Sequence, residues 1–306
     1  MPELPDILLY LHALAPRVVG RRIEALELGF PFLLRSVEPP LSRATGRTIV
    51  GLRRLGKRIV FELEGDLFLV VHLMIAGRFK WSDKAPAARK PGARSAALLT
   101  MRFAHGTLTL TEAGTTHRAS LYVVDGVEGL AAHDPGGLEV LDGDAAAFAA
   151  VLKDAHHTLK RTLTDPRLFS GIGNAYSDEI LHAARLSPFR MSQSLSVDES
   201  RRLYEATCAT LRAWIDRLRE QTAGEFPRKV TAFHDEMAVH GRYGKPCPRC
   251  GSPVQRIVYA ANEANYCATC QTDGRLLADR ALSRLLKKDW PRTLEELERR
   301  RSSLES

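Results

Sequence analysis

The sequence predicts an α+β protein with a β-rich first half, a helical second half and a closing four-cysteine module. Short apolar runs bounded by turn residues fill the chain as far as the breaker cluster Asp134-Pro135-Gly136-Gly137. From there to about His240 the apolar residues fall at helical spacing. Two C-x2-C pairs, Cys247 with Cys250 and Cys267 with Cys270, follow.

The elements are expected in this order. Ile7, Leu8, Leu11 and Leu14 mark a first helix from about Pro5 to Ala15. Ile59–Leu63 and Leu67–Val71 flank Glu64-Gly65-Asp66 as a hairpin, and Leu98–Phe103 and Thr107–Leu110 flank Ala104-His105-Gly106 in the same way. The stretch from Asp83 to Ser95, rich in Ala, Pro, Gly and basic residues, reads as a mobile loop. Helices are expected over Ala145–Leu152, Thr158–Thr164, Ala175–Ala184 and Val197–Arg219. A last amphipathic stretch, Leu276 to about Arg300, is broken at Pro291 and carries Leu282, Leu285, Leu286, Leu294 and Leu297. The expected domains are 1–134, 135–238, 239–271 and 272–306.

No apolar run reaches the roughly 18 residues a membrane helix needs. The start, Met1-Pro2-Glu3-Leu4-Pro5-Asp6, is not a signal peptide. A cytoplasmic protein with no membrane partner is expected. The net charge of +8 favours a polyanionic partner, and its distribution is more telling. Pro39–Phe61 holds no acid but carries Arg43, Arg47, Arg53, Arg54, Lys57 and Arg58. Met237–Asn262 likewise holds no acid but carries Arg242, Lys245, Arg249 and Arg256. Two separate basic stretches suit a nucleic acid, although two solvated faces would read the same way.

Sixteen residues separate the two cysteine pairs, room for a short hairpin that includes Ile257-Val258-Tyr259-Ala260. Each pair sets two thiolates about one tetrahedral ion, so Cys247, Cys250, Cys267 and Cys270 read as ligands of one structural Zn2+ with no open position for catalysis. Cys208, alone in a helical pattern, reads as a small apolar residue. Gly171-Ile172-Gly173-Asn174 precedes a helix, with Asn174 as its N-cap. Exposed amides there could bind phosphate, with Lys160 facing the same group. A merely capped helix would look alike.

Removal of Met1 would leave Pro2 with a free secondary amine. An α-amino group titrates near 7.7–8.0, so on the order of a tenth is unprotonated at neutral pH. Attack on an aldehydic carbon forms an iminium, an electron sink suited to eliminations, and Glu3 stands beside it to move protons. Most chains that begin Met-Pro put the proline to no such use, and the residues alone leave that open.

Taken together, the motifs resemble the formamidopyrimidine-DNA glycosylase/endonuclease VIII family. The matching residues are Pro2-Glu3-Leu4-Pro5-Asp6, Gly56-Lys57-Arg58, His72-Leu73 with Gly77, Gly171-Ile172-Gly173-Asn174-Ala175-Tyr176 and the four-cysteine finger, in family order over residues 1 to about 271. The resemblance implies an N-terminal β-sandwich with flanking helices, then a helix–two-turn–helix domain with the zinc finger, damaged DNA lying between them. It implies a glycosylase with abasic-site lyase activity, acting as a monomer without a small-molecule cofactor. It makes Pro2 the Schiff-base nucleophile, Glu3 the proton donor and acceptor, and Lys57 a phosphate contact that assists β-elimination. Lys160, Asn174 and Arg242 would contact the DNA backbone.

Departures from the family pattern bear on substrate. The arginine that the family usually carries five residues before the third cysteine is Asn262 here, which predicts weaker δ-elimination unless Arg256 or Arg275 substitutes. The wedge that fills the void left by a flipped nucleotide becomes Ile75, or Met74 in another register. The family's Asp-Pro-Arg-Arg-Phe-Gly segment, which reads the opposite cytosine, has no match near Glu112–Arg118, so a preference for 8-oxoguanine opposite cytosine does not carry over. A non-catalytic damaged-DNA-binding relative on the same scaffold is the competing expectation.

Overall fold

Apolar strand runs between Ala25 and Asp125 build two four-stranded antiparallel sheets. The computed structural model describes residues 1–83, 97–114, 116–228, 230–259, 262–278, 285 and 290–305. It divides into two compact units, Met1–Pro135 with Ala213–Ala232, and Gly136–Arg212 with Phe233–Ser306.

In the first unit, β1 (Ala25–Leu28), β5 (Gly77–Ser82), β6 (Ala97–Phe103) and β7 (Gly106–Glu112) form a sheet of order β1–β6–β7–β5. The strands β2 (Ile49–Leu55), β3 (Arg58–Leu63), β4 (Leu67–His72) and β8 (Ser120–Asp125) form the other, of order β2–β3–β4–β8. Both expected hairpins are present, with Leu63 opposite Leu67 and Phe103 opposite Gly106. Gly65 and Asp66 turn the first of them at φ of 73° and 53°. Phe61 of β3 meets Phe79 of β5 edge to face, ring centroids 6.1 Å apart, so the sheets close on each other as a sandwich.

The first helix, α1 (Leu4–Val18), buries Ile7, Tyr10 and Leu14. Tyr10 packs on Phe79 at 5.6 Å and its hydroxyl accepts the Phe79 N–H at 3.2 Å. The helix runs three residues past its expected end at Ala15. Buried Val18 and the bond from Arg17 Nη1 to the Ala13 carbonyl, 2.7 Å, hold the last turn despite Pro16. A short helix, α2 (Gly126–Ala131), follows β8. After Asp83, the loop expected to Ser95 lies outside the described residues.

The second unit holds α3 (Ala145–Asp154), α4 (Leu159–Thr164), α5 (Asn174–Ala183) and the first part of α6 (Val197–Thr222). Phe148 of α3 packs on Phe169 at 4.7 Å at its centre. The expectation of helix through His240 fails beyond α6. Ala223 and Gly224 take φ of 46° and 81°, which ends the helix, and the Glu179 carboxylate then binds the N–H groups of Ala238, Val239 and His240. Those amides are held by α5 and not by a helical ladder.

The cysteine module folds as the hairpin β9 (Gln255–Tyr259) and β10 (Asn262–Tyr266), with the single turn α7 (Ala268–Thr272) after it. In the C-terminal extension, Leu282 and Leu286 lie outside the described residues. Its last helix, α8 (Leu294–Glu305), sets Leu294 and Leu297 against a buried cluster of Ile257, Tyr266, Ala268 and Leu276. The extension therefore docks on the module's own hairpin.

Candidate active site

Pro2 is buried immediately before α1, and Glu3, 2% exposed, is the helix N-cap. Glu3 and Asp6 form a reciprocal capping box, in which the Glu3 N–H donates to Asp6 Oδ2 at 2.8 Å. This fixes the chain start. The terminal amine, borne by Met1 in the unprocessed chain, has its pKa lowered chiefly by burial, with Arg78 and Lys57 adding to the effect against Glu3 and Asp6. Lys57, from the turn between β2 and β3, lies near enough for its charge to act on this amine.

Sequence reasoning missed Arg78. Its guanidinium is anchored on the carbonyls of Ile75 and Gly77, at 3.0 and 2.7 Å. The turn it braces carries Ile75 out to 59% exposure, with Met74 at φ 52°. Gly77 is required there, because a Cβ would lie 2.2 Å from the Leu73 carbonyl oxygen. His72 ends β4 below this turn, and its Nδ1 accepts the Met74 N–H at 3.0 Å. Burial, then Arg58 and Lys57, pushes its pKa from 6.5 to about 4. The unfolded imidazole takes up a proton below 6.5 and the folded one does not until about 4. Stability should therefore decline as pH falls through that window, by on the order of 2–3 kcal/mol. Thermal melts from pH 7 to 4 check this, and His72→Asn, which keeps an acceptor but cannot titrate, should flatten the decline.

The first acid-free basic stretch is less free than its sequence suggests. Arg43 pairs with Asp125 at 2.9 Å, Arg53 pairs with Glu62, and Arg47, Arg54 and Arg58 donate to backbone carbonyls. Acids pair with two of its cations, and carbonyls occupy donors of three more.

In the second unit, two expectations are corrected. The N-cap of α5 is Gly173, and Asn174 is the first helical residue. Lys160 does not face outward. It is 2% exposed, and its Nζ binds the Asn174 carbonyl at 2.6 Å and Asp178 Oδ1 at 2.5 Å. Paired in this way, it braces the helix start from beneath. Asp178 also binds His240 Nδ1 at 2.8 Å and Asn265 Nδ2 at 3.4 Å, which ties α5 to the hairpin. Arg242 is half-buried and spends donors on the carbonyls of Asp235 and Pro246, at 3.2 and 3.5 Å. Asn262 opens β10 opposite Tyr259. Arg256 lies over the Tyr243 ring at 4.7 Å with Glu263 3.8 Å away, and Arg275 is exposed beyond α7.

The four sulfurs of Cys247, Cys250, Cys267 and Cys270 all lie within 4.8 Å of one another. Tetrahedral ligands at a Zn–S distance near 2.3 Å sit about 3.8 Å apart, and the Cys250–Cys267 and Cys247–Cys270 separations are 3.4 and 4.0 Å.

Comparison with known proteins agrees with this geometry. The formamidopyrimidine-DNA glycosylase N-terminal domain matches residues 1–118, the H2TH domain of the same proteins residues 137–223, and the zinc finger found in FPG and IleRS residues 244–272. The formamidopyrimidine-DNA glycosylase of Thermus thermophilus is 34% identical over 288 residues, which span 90% of this chain and 100% of the relative. This chain belongs to the formamidopyrimidine-DNA glycosylase/endonuclease VIII family. The Moorella thermoacetica enzyme of that name is also 34% identical, over 84% of this chain and 94% of its own. Among solved structures, the Lactococcus lactis glycosylase bound to DNA containing an AP site superposes with a TM-score of 0.75 at 26% identity, covering 88% of this chain and 99% of that one. The Thermus thermophilus protein gives 0.72 at 31% identity, covering 88% and 98%.

The cysteine module is thus the family's zinc finger, and its thiols hold a structural zinc ion. Their protonation fits a dication. Burial opposes ionisation of Cys250, but hydrogen bonds from Ser252 and the neighbouring thiols outweigh it and bring the pKa to about 6. Burial pushes Cys267 and Cys270 up, and a bound cation favours their ionised form. His182 of α5 places Nε2 3.3 Å from Cys247 Sγ, a contact the sequence reading missed. Asp178, Glu179 and His182, polar residues on a helix read only for its apolar face, were the available signal. His182→Phe should weaken zinc affinity by about 10–100-fold, which competition with a chromogenic chelator measures.

Among the described residues, no helix is long and apolar enough to cross a membrane.

Proposed function

We propose that the chain removes oxidised or ring-opened bases from damaged DNA and cleaves the resulting abasic site, as a monomer, with Pro2 as nucleophile. The observation that carries this is the buried chain start, held by a capping box, with the charges of Glu3, Asp6, Lys57 and Arg78 acting on its amine. With Met1 removed, the Pro2 nitrogen attacks C1′ of a flipped-out nucleotide. The bond from C1′ to the base breaks, and the base leaves with the glycosidic electron pair and a proton. Glu3 protonates O4′ as the sugar ring opens, giving an iminium between Pro2 and C1′. Loss of a proton from C2′ expels the 3′-phosphate, the β-elimination, and a second elimination expels the 5′-phosphate. Water then hydrolyses the iminium and frees Pro2. Lys57 and Arg78 neutralise the phosphates next to the lesion. Asn174, at the N-terminal end of α5, presents its side chain and helix amides to backbone phosphate, with Lys160 as its brace.

The test is borohydride trapping. Purified protein incubated with an oligonucleotide carrying an abasic site should give a covalent adduct on Pro2. Binding without an adduct would favour the non-catalytic relative.

Asn262 brings no charge to the position where the family usually has arginine, so the 5′-phosphate leaves slowly. Nicked product should accumulate mainly as the β-elimination aldehyde, and Asn262→Arg should raise the share ending in 3′-phosphate several-fold. Electrophoresis of end-labelled product separates the two ends. Mostly 3′-phosphate in the parent protein, unchanged by Asn262→Arg, would refute the assignment.

A further inference from the structure

The proposed reaction leaves a base without a partner opposite the flipped nucleotide, and the first unit carries an unassigned aromatic surface linked to its wedge turn. Phe32 is 70% exposed, at a one-turn helix over Pro31–Leu33 whose Leu33 is buried. Phe30 lies 5.5 Å from Phe32 and 4.9 Å from His117, edge to face. This surface is held rigidly. Leu34 bridges Leu121 at the start of β8, the Arg35 N–H donates to the Leu121 carbonyl at 2.9 Å, and the Val123 N–H donates to Ser36 Oγ at 2.8 Å.

The β-ladder links it to the Ile75 turn. Gly77, which closes the Ile75 turn, pairs with Glu112. The buried Glu112 carboxylate accepts the N–H groups of Arg118 and Ala119 at 3.0–3.1 Å, which folds the segment back and brings His117 onto Phe30. Arg35, three residues after Phe32, and Arg118, next to His117, are both exposed, and their guanidinium groups form no ion pair among the described residues. An exposed aromatic with cations on the same two segments fits a base and its phosphates.

We infer that Phe32, backed by Phe30 and His117, stacks on the unpaired base opposite the lesion. Every base offers a π-face, so stacking holds the base without reading which one it is. The inference rests on the proposed function and deepens it, since the enzyme would accept any of the four opposite bases.

Duplexes bearing a tetrahydrofuran abasic analogue, which needs no chemistry, with A, C, G or T opposite, test it by titration. The parent protein should bind all four within about threefold. Phe32→Ala should weaken all four by about tenfold and leave binding to the same strand alone unchanged, while Phe32→Trp should keep parental affinity. With 2-aminopurine opposite the analogue, the parent should quench its fluorescence more than Phe32→Ala does. The inference is overturned if Phe32→Ala binds like the parent, if it loses affinity for one opposite base only, or if single-strand binding falls equally. Borohydride trapping on the parent is scored separately. No adduct with an intact Phe32 effect refutes the catalytic reading alone, and an adduct with no Phe32 effect refutes this one alone.

Discussion

Pro2→Gly should abolish the borohydride-trapped adduct, lowering strand cleavage at abasic sites at least about a thousandfold. Glycine still presents a terminal amine, but a primary one on a flexible residue. The proline ring fixes φ and aims its nitrogen. The substitution leaves the capping box of Glu3 and Asp6 in place, so binding to the tetrahydrofuran duplex should be retained. The pH dependence is signed as well. For the amine as Met1 bears it, burial, with Arg78 and Lys57, lowers the pKa; the same surroundings should depress the Pro2 amine once Met1 is removed, and the reactive form is the unprotonated one. The rate of adduct formation should rise with pH and level off below pH 8, the ordinary value for such an amine. A limb still rising above pH 8, or active protein whose intact mass includes Met1, would end the assignment.

Removing the zinc should be the largest structural perturbation. Structural zinc sites with four cysteine ligands contribute on the order of 10 kcal/mol to folding their module. Without the ion, Cys267 and Cys270 hold their protons and the two knuckles have nothing to close on. The hairpin they support also anchors Asn265 to Asp178 and seats α8 through Tyr266 and Ile257. Chelation, or Cys267→Ser, should release one zinc per chain, lower the melting temperature of the second unit and weaken DNA binding. The first unit contains no cysteine and should keep its β-sheet signal. Zinc-free protein that melts and binds DNA like the parent would refute this.

The sequence by itself determined the α+β class, both hairpins, the four main helices and the zinc ligands. Those features rest on local physics: alternation, helical spacing, turn residues and the C-x2-C knuckle. It also marked Pro2 and Glu3 as candidates, but the residues alone left their use open, and only the resemblance to a family assigned them roles. Tertiary structure alone decided which polar groups meet. Lys160 could not be known as a buried brace without Asp178, eighteen positions away. The pairing of Arg43 could not be known without Asp125, and residues 238–240 could not be taken out of a helix without Glu179. Charge and hydrogen bonding act through space, so a residue's partner, and with it the role it has left to play, is fixed only when the chain closes.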